Sequence, residues 1–509
     1  MSDTGALNRR MTSLDASFLY LEQPTALLHV AGIYSFARPL DYDRVVRHVA
    51  ERLHLIPRYT ERVVMVPLNL GHPTWEPDPT FDIRRHIVRH TLKGGSDDAT
   101  LARLCAKLFA EPLDRQRPLW EMHLIEGYGA GCAMLAKTHH CMIDGASGVQ
   151  LLNILMDPTP SPPKVEPPPA RTARPPLPNP FLQAATGLVD TVRTQVEIGQ
   201  HVVQSLMRPS RALQEARATI DAVGTLVRTL LQGAPPMPFN GAIGRQRALA
   251  WTRFSLNEVK ATKNRLGGTV NDVVLAVIAG ALRHYLRQRG VNVDRTELRA
   301  MVPVNVRTEH EQLKLGNRVS MMVAPLPIGI TDPVERLRQV SAAMDLLKSG
   351  GQAGQMERVV ALTDLLPPLV QRPLARLQAS VTPVNTVCTN VPGPRETRYM
   401  LGEPVQLMVP LVPLAVGIGL GFAIMSYADQ LTIGMNADAD RVADIWTLAA
   451  ALRDSFEELW SATGLERIAA PAPATPLKGR RGRKPSKAKR GRGTVAASSV
   501  ESPPELASA

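Results

Sequence analysis

His139 and His140 stand side by side in the sequence, with Cys141 and Asp144 following within one short stretch that ends in Gly145. With Lys137 just ahead of them, no other segment gathers as many groups able to move a proton. A neutral imidazole with a pKa near 6.5 accepts a proton from a hydroxyl or thiol at neutral pH, and a positioned base is worth roughly 10²–10⁴-fold in rate. The chemistry indicated is general-base catalysis. An acid four residues beyond His140 can return through a tight turn, for which Gly145 supplies backbone freedom. Asp144 then orients either the loop or the imidazole. The plain alternative is a pair of core histidines with a capping aspartate. A zinc site built from His139, His140, Cys141 and Asp144 fits less well, because adjacent ligands diverge and no second cluster has zinc spacing.

The flanking residues say how this stretch is held. Cys132-Ala133-Met134-Leu135-Ala136 is small and apolar and reads as a buried strand, while Val149 to Leu155 carries apolar residues at helical spacing. The histidines thus fall where a strand gives way to a helix. Side chains alternate across a strand, so His139 and His140 face opposite ways and one of them is structural. The region from Leu14 to about Leu155 alternates strand-like runs, His29 to Phe36 and Arg62 to Val66, with helix-like ones, Tyr42 to Leu53 and Ala99 to Phe109. This is an α/β or α+β pattern. Pro118-Leu119-Trp120 leads into a further strand, Glu121 to Glu126, and a tryptophan there serves packing or touches a ligand.

A second candidate lies in the other half. Ser255-Leu256-Asn257-Glu258 is a capping-box signature, and its helix stops at Gly267-Gly268. Thr269-Val270-Asn271-Asp272 then opens another helix, running from about Val273 to Arg287. Asn271 thereby sits near a helix N-terminus, where unpaired N–H groups and the positive dipole end favour developing negative charge. It is a candidate oxyanion donor; capping by Asn271 and Asp272 is the competing role.

With 509 residues, 44% of them hydrophobic, the chain can build more than one large core. Its four cysteines have no paired spacing and no apolar run follows Met1, which fits a reducing cytoplasm without a cleaved signal. Eleven of the 43 prolines lie between Pro158 and Pro180, a stretch expected to act as an extended linker. Beyond it, helical spacing from Leu188 to Leu206 and from Leu213 to Leu231 suits packing on the core or lying in a lipid surface. Val405 to Ala428 has no charged residue, but Pro410, Pro413, Gly417, Gly419 and Gly421 would break a membrane helix, so two buried strands joined by a turn are expected. Nine positive charges between Lys478 and Arg492 supply nine of the net +13, leaving +4 for everything else. Such a tail is expected to be disordered and to seek polyanions, anionic lipid or nucleic acid alike, without marking a specific nucleic-acid-binding protein.

His139-His140-Cys141-Met142-Ile143-Asp144-Gly145 matches HHxxxDG, the motif of the CoA-dependent acyltransferase superfamily that includes chloramphenicol acetyltransferase and peptide-synthetase condensation domains. Further segments resemble its bacterial wax ester synthase/diacylglycerol acyltransferase branch. They are Leu14-Asp15-Ala16-Ser17-Phe18, Arg117-Pro118-Leu119-Trp120-Glu121, Pro238-Phe239-Asn240-Gly241, Val270-Asn271-Asp272-Val273, Val302 to Arg307, Gly316-Asn317 and Asn390-Val391-Pro392-Gly393-Pro394. They occur in that family's order from about residue 11 to about residue 465.

The resemblance implies a two-domain α/β acyltransferase with its active site in a channel between the halves. Residues 1–157 would form the first half and 158–234 the Pro-rich linker and helical segment. Residues 235–467 would form the second half and 468–509 the basic tail. The implied reaction moves a fatty acyl group from acyl-CoA to diacylglycerol or a long-chain alcohol, yielding triacylglycerol or wax ester without a cofactor. His140 would be the base, since the motif places that role four residues before the aspartate. His139 and Asp144 would support the loop, Asn271 the oxyanion, and Gly145, Pro118, Trp120 and Asp272 substrate binding. Acyl transfer from a carrier protein and a non-catalytic lipid-surface scaffold are the rivals. The expected location is cytoplasmic, at the inner membrane face or on lipid droplets, and the sequence sets no oligomeric state.

Overall fold

The computed structural model describes residues 10–67, 71–143, 145–162, 165–166, 233–305, 319–349, 371, 373 and 383–467. Most of the Pro-rich linker, the helical segment after it and the basic tail lie outside the described residues, as does Asp144. Thr12 starts α1 (Ser13–Leu21) by accepting the Asp15 N–H on its hydroxyl at 3.1 Å. Then come β1 (His29–Phe36) and α2 (Tyr42–Arg52), and the short hairpin β2 (Glu61–Val64) with β3 (Thr74–Pro77). β4 (Ile87–Thr91) precedes α3 (Asp98–Ala110), which Asp97 caps through the Thr100 N–H at 2.7 Å. The hairpin β5 (Trp120–Tyr128) and β6 (Gly131–His139) leads through the histidine turn to α4 (Gly145–Leu155).

The later half repeats the plan with its own helices. β7 (Arg247–Ser255) runs into α5 (Leu256–Leu266), capped by Ser255 as its sequence indicated. Gly267 and Gly268, at φ of 93° and 81°, then bend the chain into α6 (Val270–Arg287). β8 (Leu298–Asn305), β9 (Val319–Leu326), α7 (Pro333–Ser349) and β10 (Thr386–Pro392) follow. The chain ends through β11 (Tyr399–Met400), β12 (Glu403–Leu411), β13 (Leu420–Tyr427), β14 (Gln430–Asp438) and α8 (Ile445–Ser461). Two six-stranded sheets result, ordered β11-β12-β1-β6-β5-β4 and β7-β14-β13-β10-β8-β9. Apolar faces of α6, α7 and α8 bury the second sheet's largest core, with Val273, Ile278 and Leu282 among its members.

Strands β12 and β13 are both buried, as the uncharged stretch from Val405 predicts, but they do not pair with each other. β12 crosses to the first sheet, where it lies antiparallel to β1 with Gly32 opposite Pro410. β13 stays in the second sheet between β14 and β10. The proline and glycine residues between them permit a crossing rather than a tight hairpin. The sheets meet closely here: a Cβ on Gly434 would stand 2.0 Å from the Pro410 carbonyl oxygen, so glycine is required. A shared apolar cluster joins Leu407 and Leu411 to Leu135, Phe109 and Trp251, and the Trp251 Nε1–H donates to Asp98 at 3.0 Å. The first sheet thus takes β11 and β12 from the chain beyond residue 235. Among the described residues no single helix is long and apolar enough to cross a membrane.

Candidate active site

Strand β6 delivers His139 to a fully buried position, 0% exposed. Its two ring nitrogens are both engaged. The Cys141 backbone N–H donates to Nδ1 at 3.1 Å, and Nε2 lies 2.6 Å from Glu22 Oε2. A backbone N–H can only donate, so Nδ1 is the bare nitrogen and Nε2 carries the proton given to Glu22. Burial pushes the His139 pKa down against the pull of Glu22. Glu22 also accepts from Arg115 at 2.7 Å and from the Leu28 N–H at 3.2 Å. Burial acts to raise its pKa, but the His139 bond and the His139 and Arg115 charges outweigh it and hold the carboxyl at about 2.

His140 leaves the strand in the other direction. Its backbone N–H donates to the Leu28 carbonyl at 2.8 Å, which pins the start of the turn, and its ring is only partly buried. Phe18 of α1 stacks on that ring with centroids 4.0 Å apart and planes 13° from parallel. One imidazole is thus locked into the scaffold and its neighbour is presented on an aromatic platform. Asp144 lies outside the described residues, and Gly145 begins α4.

Lys137, which sequence alone put among the proton-moving groups, has a structural place. It is 0% exposed, and its Nζ donates to the Leu108 and Glu111 carbonyls at 3.0 Å each and meets Glu121 at 2.9 Å. The ammonium thereby satisfies carbonyls at the C-terminal end of α3, where the helix dipole favours a cation.

On the second sheet's side, Asn271 and Asp272 divide their roles. The Asp272 carboxylate accepts the Thr269 N–H at 2.8 Å while the Asp272 N–H donates to the Thr269 hydroxyl at 3.2 Å, a reciprocal capping box. With 0% exposure, Asp272 caps the helix that it opens. Asn271 is partly buried one position earlier, and its Oδ1 accepts from the Asn390 Nδ2–H at 3.2 Å.

Pro118 and Trp120 are both buried. Trp120 is 1% exposed, stacked with Tyr59 at 4.5 Å and His86 at 4.6 Å between centroids, and its Nε1–H donates to the Tyr59 carbonyl at 2.9 Å. The buried Pro118 offers its carbonyl to the Trp120 N–H at 2.9 Å. Both residues anchor packing around β5. Glu22 and Arg115 were missed by the sequence reading, since nothing local marks a partner 117 positions from His139.

Residues 11–274 match the family model for the wax ester synthase/diacylglycerol acyltransferase catalytic domain, and residues 315–460 match the WS/DGAT C-terminal domain. The chain belongs to this acyltransferase family. A putative diacylglycerol O-acyltransferase of Mycobacterium tuberculosis strain CDC 1551 / Oshkosh is 32% identical over 468 residues, covering 89% of this chain and 90% of that protein. A probable diacylglycerol O-acyltransferase from strain H37Rv is 32% identical over 461 residues, covering 88% and 95%. The acyltransferase shares its fold with the wax ester synthase/diacylglycerol acyltransferase of Marinobacter aquaeolei VT8, with a TM-score of 0.63, 23% identity and coverage of 90% and 100%. The first condensation domain of the calcium-dependent antibiotic synthetase has the fold too, with a TM-score of 0.56, 16% identity and coverage of 89% and 96%.

Burial around the site predicts how the acyltransferase responds to acid. His29, facing His139 at 5.9 Å, is held at about 3 by burial and then by the nearby Lys137 charge, and His72 at about 4 by burial and then Arg10. Both lie below the ordinary 6.5, as does His139, so the unfolded chain binds more protons once the pH falls below 6.5. Stability is therefore full above that pH and declines from 6.5 toward 3, each proton steepening the fall by about 1.4 kcal/mol per pH unit. Thermal melts between pH 7 and 4 should show this decline, and His29→Phe should flatten it. An unchanged slope in that variant means His29 is charged in the fold.

Proposed function

We propose that this acyltransferase moves a fatty acyl group from acyl-CoA to the hydroxyl of diacylglycerol or a long-chain alcohol, with His140 as general base. His140 takes the hydroxyl proton while the oxygen attacks the thioester carbonyl. The tetrahedral oxyanion accepts a hydrogen bond from the Asn271 amide, and its collapse expels the CoA sulfur, which recovers the proton from His140. The observation that carries this assignment is the division between the two histidines. Both nitrogens of His139 are held inside the fold, whereas His140 is partly exposed on Phe18. The names of the mycobacterial relatives favour diacylglycerol as acceptor. Free thiol released from palmitoyl-CoA in the presence of diolein tests the proposal, with triacylglycerol carrying one palmitoyl and two oleoyl chains extracted from the same reaction. A lipid-surface scaffold releases no thiol above the rate without protein.

The basic tail is proposed to hold the enzyme at an anionic lipid surface, the inner membrane face or a lipid droplet, without joining the chemistry. Each Lys or Arg near such a surface is worth roughly 1 kcal/mol, which salt weakens. Deleting residues 470–509 should reduce sedimentation with anionic liposomes at low salt and leave turnover of detergent-dispersed substrate within about twofold. Loss of turnover in detergent contradicts the division of labour.

A further inference from the structure

Asn390 stands on β10 at the head of the Asn390-Val391-Pro392-Gly393-Pro394 segment and donates its Nδ2–H to Asn271 Oδ1 at 3.2 Å. Both residues sit on pinned backbone. β10 is an interior strand between β13 and β8, with Asn390 opposite Ile424. Three residues on, Gly393 lies so near β13 that a Cβ would meet the Ser426 carbonyl at 2.2 Å. Asn271 occupies the first turn of α6, fixed by the Thr269 and Asp272 capping box. Neither amide can drift far from the other.

A primary amide has one accepting end and one donating end. With its oxygen taken by Asn390, Asn271 turns its Nδ2–H groups away from β10. The reverse pairing, in which Asn271 donates to Asn390, would present the Asn271 oxygen lone pairs instead and repel an oxyanion. We propose that Asn390 is a positioning residue for acyl transfer, setting which end of the Asn271 amide meets the reacting centre. This rests on the reading of Asn271 as the oxyanion donor.

The full-length enzyme is assayed with palmitoyl-CoA and diolein, with thermal melts on every variant. Asn390→Ala frees the Asn271 amide to rotate, and kcat should fall about tenfold with KM and the melting temperature little changed. Asn390→Asp is nearly isosteric, but a carboxylate only accepts, so it draws the Asn271 Nδ2–H groups toward itself. Its kcat should fall further than that of Asn390→Ala, toward the roughly 10²-fold loss of a missing oxyanion donor. In an Asn271→Ala background both Asn390 changes should add nothing, because the group they act through is gone. A general effect of the added charge would persist there and overturn the proposal, as would wild-type kcat in Asn390→Ala and Asn390→Asp beside a crippled Asn271→Ala. A normal kcat in Asn271→Ala itself removes the oxyanion reading and the positioning role together.

Discussion

His140→Ala should lower thiol release from palmitoyl-CoA by about 10²–10⁴-fold while the protein still melts normally and binds acyl-CoA. The ring is partly exposed and stacks on Phe18, so its removal deletes a proton acceptor more than a packing element. Attack by a neutral hydroxyl then lacks a base. His139→Ala should show the opposite profile. Removing that ring takes a 2.6 Å donor from the partly buried Glu22 carboxylate and an acceptor from the Cys141 N–H. A buried donor left unpartnered costs about 1–3 kcal/mol, so the melting temperature should drop by several degrees. Any loss of rate in His139→Ala should accompany that loss of stability. Thiol release and melts belong in the same experiment. An active, normally melting His140→Ala beside a dead but well-folded His139→Ala reverses the assignment.

That division was partly legible before any coordinates. Strand alternation already separated His139 from His140, and β1 lies over His29–Phe36 as its apolar run indicated. The Ser255 cap and the Gly267 stop are local signals, and α5 obeys both. What local pattern cannot carry is a partner brought from far away. Glu22 reaches His139 because β1 and β6 pair with His29 opposite His139, leaving Glu22 a few residues before that point. The crossing of β12 into the first sheet is hidden for the same reason: an uncharged run with prolines marks buried strands without saying which sheet buries them. The resemblance implies substrate contact for Trp120 and Asp272, and in the fold Trp120 stacks on Tyr59 while Asp272 caps α6. A functional segment contains residues that build the site as well as residues that face it.

Asn271→Ala should lower kcat by about 10²–10³-fold with little change in KM for acyl-CoA. Thioester and ester carbonyl oxygens carry little charge until the acceptor oxygen attacks, so a donor aimed at the oxyanion contributes chiefly in the transition state. Asn271 suits that role better than capping. Asp272 already closes the box with Thr269, and the Asn271 side chain faces Asn390 rather than its own helix backbone. The helix N-terminus it occupies adds a positive potential that falls off within a turn, which favours charge developing beside α6. Removing the side chain leaves the capping box intact, so the melting temperature should stay within about two degrees of wild type. A raised KM with normal kcat would assign Asn271 to ground-state binding. A clear fall in melting temperature with proportionate loss of rate would return it to a structural role at the start of the helix.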